Sequence, residues 1–585
     1  MIFIILTWLY IFVISLIYGI SFIKTTSSFF KISIPYTIHP AIICIIGLFS
    51  LGCLSEVLTF FLPLNLWANV IVLLIGIGSG IVLRKSLVDY LQEQLKILKI
   101  QNILIVILFF LSLFAICVLS EGYTTHYDDG LYYSTFIKWT QEYKVVPGLA
   151  VLHPRLGFNS LWHVLQALFG FEFLKAGLFN DLNGLLYLLG WSYSLSGILA
   201  LLKGDNKMST WLKAFYYIPI LALHFGASSQ FLLVNINFIS CPTADIPAMI
   251  LCWIVFILFL EKAENKQGEQ FDIQTILIII LAVFLVNIKL SAIPVVMLVI
   301  FLVFRELLSK KFIIFFQITG LGMILLLPWL LRNVILSGYL LFPFSALDIL
   351  SVDWKVPMKD VMWHEKAVKV WAINPGANFE ELAKAPVQEW FANWYENLSF
   401  IHVVILQIIF VATLLFLLYS ISQIIRYRAS FFNNNSYSII LFITCLSGIF
   451  LWLNKAPDFR FGYGFTAFYC IWSIVIFLRY FLENWSQQTA WILICFVLYV
   501  QLYYYRDIYQ PFVQHFFEKP VAIPVATQVK KQPLSDGNYI IIPTDGESCY
   551  CSDLPCAPQA EFNARKFVWR GKTLQDGFKM EKVKR

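Results

Sequence analysis

Two adjacent aspartates, Asp128 and Asp129, are the residues of this sequence best suited to chemistry; they lie in HYDDGLYY at residues 126–133. Neighbouring carboxylates set against aromatic rings support two roles. One can serve as a general base whose pKa is raised by its neighbour's charge. Alternatively, both can bind a hard divalent cation, Mg2+ or Mn2+, through oxygen. The plainer reading is an aspartate N-cap for a helix beginning at Gly-Leu-Tyr-Tyr, which accounts for one carboxylate better than for two. His126, Tyr132 and Tyr133 are candidates to contact a substrate at the same place.

Further charged groups recur beside apolar segments, where their burial is costly and therefore informative. His153 and Arg155 lie in VLHPRLGFNSLW (residues 151–162). The arginine can grip a phosphate bidentately or simply anchor at lipid headgroups. Asp245, in SCPTADIP (240–247), opens an apolar segment and either caps it or brings a third carboxylate to the same surface. Lys289 in NIKLSAIP (287–294) can neutralise a lipid-linked phosphate or snorkel, and Arg332 and Asn333 in PWLLRNVILSGYLLFP (328–343) leave another apolar run. Arg460, in APDFRFGYGF (456–465), either pairs with Asp458 at the surface, an interaction worth little, or reaches the candidate site. CYCSDLPC (549–556) has C-x-C-x4-C spacing, which fits no standard zinc pattern. It reads as one disulfide, Cys549 to Cys556, with one cysteine left over and no catalytic role.

The elements that position these groups are set by composition. The 585 residues are 59% hydrophobic and 13% charged, against about 25% charged in soluble domains. A mean hydropathy of +0.76 points to lipid as the solvent for most of this surface. The fold class expected is therefore an all-α polytopic membrane protein. Residues 2–23 read as a span and not a signal peptide: no basic residue precedes them, the run is too long, and no small-residue cleavage site follows. The other expected spans are 39–62, 66–83, 102–119, 180–202, 214–235, 246–260, 273–288, 290–304, 312–331, 401–425, 438–453, 463–481 and 489–505, about fourteen in all. The net charge of +7 is spread over short loops, and no basic aromatic patch suggests nucleic acid. With the Lys/Arg-rich loops inside, residues 120–156, 333–400 and 506–585 face outside.

Residues 157–174 test that scheme. Counted as a span, they would put the basic loop 203–213 outside; a helix lying in the interface reconciles the two, and a true span with a miscounted neighbour is the alternative. The chain then divides into N-terminal spans (1–119), a first external loop with the acidic motif (120–179), spans (180–332), a second external loop (333–400), C-terminal spans (401–505) and a small external tail (506–585). The tail reads as a small globular or loosely ordered appendage, with a strand at NYIIIP (538–543).

Taken in order, these motifs resemble the GT-C superfamily of membrane glycosyltransferases, which use polyprenyl-phosphate-linked or related lipid-linked sugars. HYDDGLYY followed by HPRLGFNSLW resembles the acidic first-loop motif and the apolar helix after it. TADIP resembles a second acid, NIKLSAIP a lysine hairpin, PWLLRNVILSGYLLFP the exit into the next loop, and RFGYGF a late arginine motif. The chain looks closer still to a bacterial multi-pass membrane protein group sharing HYDDGLYY and the Arg-Gly-Lys-x-Leu-x-Asp-Gly-Phe ending at 570–578; for that group the resemblance supplies no activity. The resemblance implies a catalytic base at Asp128 or Asp129 and a second acidic site residue at Asp245. It implies lipid-phosphate contacts from Lys289, Arg332 and Arg460, and an inverting transfer to a glycan, lipid or protein acceptor. The setting it implies is the outer face of a bacterial inner membrane, with Trp139, Trp162, Trp363 and Trp371 free to stack on sugar rings or to anchor at the interface. Three other classes stand beside it: a lipid-linked polysaccharide polymerase or ligase, a secondary transporter, and a noncatalytic envelope-assembly subunit.

Overall fold

The computed structural model describes residues 1–34, 37–99, 103–121, 126–174, 181–216, 237–265, 271–374, 378–427, 429–482, 485–504, 516–517 and 528–581. Within them the protein is overwhelmingly helical, and sheet is confined to two two-stranded pairs in the tail. Ten helices are long and apolar enough to cross a bilayer: Ile2–Phe30, Pro40–Leu58, Ile103–Ser120, Leu182–Leu202, Asp245–Glu264, Leu290–Leu308, Phe312–Ser337, Phe400–Ser422, Asn435–Lys455 and Phe459–Arg479. Leu66–Val82 makes an eleventh when taken with the helix after it, to which it is bent by 80°. This is a multi-pass membrane protein.

The sequence-based count of about fourteen is not reached among the described residues. Ile273–Ile288 and Ser486–Val500 are apolar but shorter; sixteen residues rise about 24 Å, short of a hydrocarbon core of about 30 Å. Most of 214–235 lies outside the described residues. Residues 157–174 do not form a span either. They give a 3-10 turn ending at Gly157 and a helix, Leu161–Phe169, whose nine side chains are all buried. That helix is too short to cross, and it sits inside the protein, packed against Pro40–Leu58 and Ser134–Glu142. The reason is its polar inventory: Asn159 and Ser160 spend their side chains on the Trp329 and Ile288 carbonyls, which a helix lying free at the interface would leave to water.

Burial separates the core from the rim. Of the apolar window of Asp245–Glu264, 83% is buried, and of Pro40–Leu58, 78%; for Phe400–Ser422 the share is 11%. The last leaves nearly a full circumference of Leu, Ile and Phe with only lipid to cover it. At the centre, Ile2–Phe30 and Pro40–Leu58 pack backbone to backbone. A Cβ on Gly19 would overlap the Ile43 carbonyl, and one on Gly47 the Ser15 carbonyl, the close approach small residues permit between spans.

The tail is more firmly attached than its composition suggests. Val529–Pro533 pairs antiparallel with Tyr539–Pro543, and Phe567–Trp569 with Phe578–Met580. Cys549 and Cys556 form the disulfide, and Cys551 is not part of it. Backbone bonds then fasten the tail to the first loop: Tyr550 N–H donates to the Gly130 carbonyl at 2.8 Å, and Phe578 N–H to the Pro147 carbonyl at 3.0 Å. Arg570 clamps Asp353 of the second loop through Nε and Nη2, at 3.0 and 3.1 Å. With Phe578 and Phe567 buried in the main core, the appendage forms part of the loop layer.

Candidate functional site

The acidic motif follows the Ile103–Glu121 helix and forms a π-helical turn, Asp129–Tyr133, running into Ser134–Glu142. Neither aspartate is spent on an N-cap. Asp128 is at the cap position, but its carboxylate makes no capping bond. Its Oδ1 instead accepts from Arg155 Nη1 at 2.6 Å and its Oδ2 from Arg460 Nη1 at 3.1 Å. Asp129 points the other way, into the protein. It is fully buried, its Oδ1 accepts from Ser134 Oγ at 2.6 Å, and its Oδ2 has no partner. Burial pushes its pKa up to about 7, against the pull of the Ser134 hydrogen bond. Two adjacent carboxylates therefore have opposite environments, one between guanidinium groups and one buried in the protein.

Arg460 is the hub. It stands in the first turn of the Phe459–Phe481 helix, which Asp458 caps by accepting from the Arg460 backbone N–H. The same Asp458 takes Arg460 Nε at 2.9 Å, while Nη1 lies 2.8 Å from His126 Nε2. Both alternatives weighed for Arg460 are thus realised together. Burial pushes the His126 imidazole down, its neighbours acting in both directions, so that it stays neutral near pH 7.

Asp245 is the first residue of its helix, and Lys289 closes the antiparallel Ile273–Ile288 helix, so both arrive at the same end of the bundle. They form an ion pair, and Asp245 Oδ2 has no partner. Lys289 and Arg460 both lie over the Phe461 ring, at 3.9 and 4.5 Å from its centroid. Their side chains keep 20% and 24% exposure, so two partly exposed cations share one aromatic floor. Arg155 lies over Trp371 of the second loop at 4.6 Å and Tyr132 at 5.7 Å. Tyr132, Tyr133 and His163 form an aromatic wall behind the motif, with Tyr133 and His163 buried.

Asp128, Asp245, His126, Tyr132, Tyr133, Arg155, Lys289 and Arg460 are thus brought together. His153, Arg332 and Asn333 belong elsewhere. His153 faces Glu561 of the tail at 3.4 Å, in a buried cluster with Arg565, Asp360 and His364. Arg332 donates to Asn159 Oδ1 at 3.0 Å and to Thr59, with Glu56 nearby, in an interior network. Asn333 is buried. Trp139 and Trp162 are core residues, whereas Trp363 is 42% exposed and in edge contact with Trp371.

The donor set does not fit the divalent cation anticipated at Asp128 and Asp129. Both Asp128 oxygens are engaged by guanidinium groups, Asp129 faces inward, and no group of three His, Cys, Asp or Glu able to hold a metal occurs among the described residues. Sequence reasoning missed the tail's share. Tyr127 Oη donates to Glu547 at 2.8 Å, Thr135 Oγ1 to the Tyr550 carbonyl, and Lys138 Nζ to the Cys551 carbonyl. A Cβ on Gly130 would come within 2.6 Å of Tyr550 Cζ and 2.7 Å of Ser548 Oγ. The glycine after the two aspartates was the available signal; it is there because the tail rests on it.

Residues 1–467 match the family described as "Domain of unknown function (DUF8201)", and the chain belongs to that family. The matched stretch contains the whole cluster, from His126 to Arg460, and ends before the tail. No curated protein and no solved structure matches the chain.

Proposed function

We propose that this DUF8201 protein is a membrane glycosyltransferase that moves a sugar from a polyprenyl-phosphate donor to an acceptor hydroxyl at the face carrying the two loops and the tail. One observation carries the reading: Asp128 is held between Arg155 and Arg460, with the Lys289 ammonium sharing the Phe461 ring beside it. Guanidinium groups bind phosphate and carboxylate by the same bidentate geometry. An arriving lipid phosphate competes with Asp128 for Arg155 and Arg460, and a carboxylate released from them becomes a stronger proton acceptor.

In the reaction, Asp128 removes the proton from the acceptor hydroxyl. The acceptor oxygen forms a bond to the anomeric carbon as the bond from that carbon to the phosphate oxygen breaks. The electron pair leaves with the polyprenyl phosphate, whose charge Arg155, Arg460 and Lys289 hold. One direct displacement inverts the anomeric centre. Asp129 is enclosed, and its role is to hold the turn through Ser134.

Basic residues gather at the opposite end of the bundle, where Arg84, Lys203, Lys213, Arg305 and Arg479 end or follow their helices. By the positive-inside rule, this supports an external, periplasmic site in a bacterial inner membrane. The test uses purified protein with polyprenyl phosphate, sugar-loaded polyprenyl phosphate and mixed glycan acceptors. Acceptor-dependent release of polyprenyl phosphate by the wild type, abolished in Asp128→Asn, is the expected result. A folded wild type that binds neither lipid refutes the assignment and turns attention to transport or scaffolding.

A further inference from the structure

At the opposite membrane face from the acidic cluster, the chain builds a second feature that the glycosyl-transfer reading does not use. The Leu66–Val82 helix ends, the chain turns by 80°, and the Arg84–Lys99 helix runs nearly perpendicular to it, as a helix lying flat on a leaflet would. Its faces are sorted accordingly. Val88, Leu91 and Leu95, at i, i+3 and i+7, form an exposed apolar stripe; Arg84, Lys85 and Lys96 are exposed around it. Ser86 and Tyr90 are buried against the body of the protein. This is the pattern of an interfacial amphipathic helix.

Beneath the buried face lies a small cavity of about 50 Å3, lined by Ile20, Ile23, Ile34, Ile38 and Ile43, with Lys24, Ser86 and Tyr90 as its polar residues. Lys24 Nζ donates to Ser86 Oγ at 2.6 Å, and among the described residues no carboxylate pairs with it. The Tyr90 hydroxyl is spent on the Ile38 carbonyl at 3.1 Å, which ties the flat helix to the connector over the cavity. An uncompensated ammonium at an isoleucine-lined pocket, next to Arg84 and Lys85 on a helix at leaflet depth, is complementary to one kind of molecule: an anion carried on a hydrocarbon chain.

We infer that Lys24, Ser86 and the Arg84–Lys99 helix form a site for an anionic phospholipid of the surrounding leaflet. The phosphate displaces the Ser86 hydroxyl from Lys24 and lies within reach of Arg84 and Lys85, and an acyl chain lies against the isoleucines that line the gap. Of the two carboxylates on the same helix, Glu93 pairs with Lys96 at 3.1 Å, which leaves Asp89 against Lys24, Arg84 and Lys85. The site stands independently of the chemistry at Asp128.

The test is native mass spectrometry of the full chain released from detergent after incubation with phosphatidylglycerol, phosphatidylcholine or inorganic phosphate. The wild type should retain one phosphatidylglycerol in preference to phosphatidylcholine. Lys24→Gln should lower that preference about five-fold, the effect of one basic residue near a charged surface, while Lys24→Arg keeps it. Ile34→Phe, which fills the cavity from the connector side, should reduce retention of both lipids. Equal retention of the two lipids by the wild type overturns the assignment, as does an unchanged preference in Lys24→Gln. Displacement of the lipid by millimolar inorganic phosphate would show a plain anion site and overturn the acyl-chain part.

Discussion

Replacing Asp128 by Asn should move binding and turnover in opposite directions, and that split separates the proposed role from a structural one. Asp128 receives charge-assisted hydrogen bonds from Arg155 at 2.6 Å and Arg460 at 3.1 Å. Such bonds contribute about 1.5–3 kcal/mol each when desolvated, and the 12% and 24% exposure of the two arginine side chains places these at the lower end. A lipid phosphate gains both guanidinium groups in full only when it displaces the carboxylate from them. A neutral amide of the same shape accepts more weakly, so the cost of displacement should fall by about 1.4 kcal/mol, a ten-fold tighter dissociation constant for polyprenyl phosphate. Loss of the base should meanwhile slow the chemical step by about 10²–10⁴. Both quantities are accessible on one preparation in lipid nanodiscs, by equilibrium binding of polyprenyl phosphate and by single-turnover release from the sugar-loaded lipid. Arg460 keeps Asp458 as a partner in the variant, so the fold should survive, and a melting curve checks this. A folded Asp128→Asn protein that binds polyprenyl phosphate no more tightly than the wild type would refute the idea that the carboxylate and the phosphate compete for the same arginines.

Asp129 should make stability fall as pH rises. Its folded pKa is raised by burial to about 7 from 3.8, so the folded state binds more protons between those values, and the loss accumulates through that window and levels off above pH 7. Asp129→Asn should flatten this slope and raise the melting temperature at pH 8, by a gain on the order of 1–4 kcal/mol; an unchanged slope would show that Asp129 is not the group responsible. Gly130→Ala should cost about 1–3 kcal/mol by overpacking against Tyr550 and Ser548, and Tyr550→Ala should recover part of it, so additive effects of the two changes would argue against direct contact. Binding of polyprenyl phosphate should take up protons near pH 7, because His126 and Asp129 are the groups at the motif that burial keeps uncharged or poised there. Calorimetry in buffers of different ionisation enthalpy should find uptake, and its absence would show that the added charge is balanced by the arginines alone.

What the residues announced in advance, and what they did not, follows from the range of the forces involved. The spans were readable because a lipid-facing helix must be apolar along its whole length, and Phe400–Ser422 has almost no other constraint. Ile273–Ile288 passes the same reading and still falls short, since hydropathy does not fix where Asp272 starts the helix and Lys289 ends it. Asp128, Asp245, Lys289 and Arg460 were found because a charge at the edge of an apolar run is expensive to keep without a purpose. Their pairing was not readable: Asp128 and Arg460 are 332 residues apart, and only the packing of four helix ends brings them together. Arg332 carried the same sequence signal as Arg460, yet it belongs to an interior network with Asn159 and Thr59. Cost of burial marks a residue as engaged; it does not say with what. The tail was read as an appendage because its composition is polar, and its hold on the first loop runs largely through backbone groups at Gly130, Pro147 and Tyr550, which side-chain types cannot reveal.

The charge balance of the cluster constrains how it can work. Three cations, Arg155, Arg460 and Lys289, face three carboxylates, Asp128, Asp245 and Asp458, in direct pairs. Such a set can be closely packed without a ligand because it carries no net charge, whereas uncompensated arginines at that depth would be costly. The same balance leaves the cations no net charge for a phosphate while all their pairs persist. A ligand gains most by breaking one, and the pairs are not equivalent. Asp458 is tied to Arg460 through its own helix cap, and Asp245 is fixed at the first turn of its helix by Lys289. Asp128 sits on a short π-helical turn that the tail braces from the other side at Gly130. It is the carboxylate with two cation partners to lose and the one on the least regular backbone, so an incoming anion should displace it first. The glycine contact with Tyr550 then sets how far the turn can move when it does.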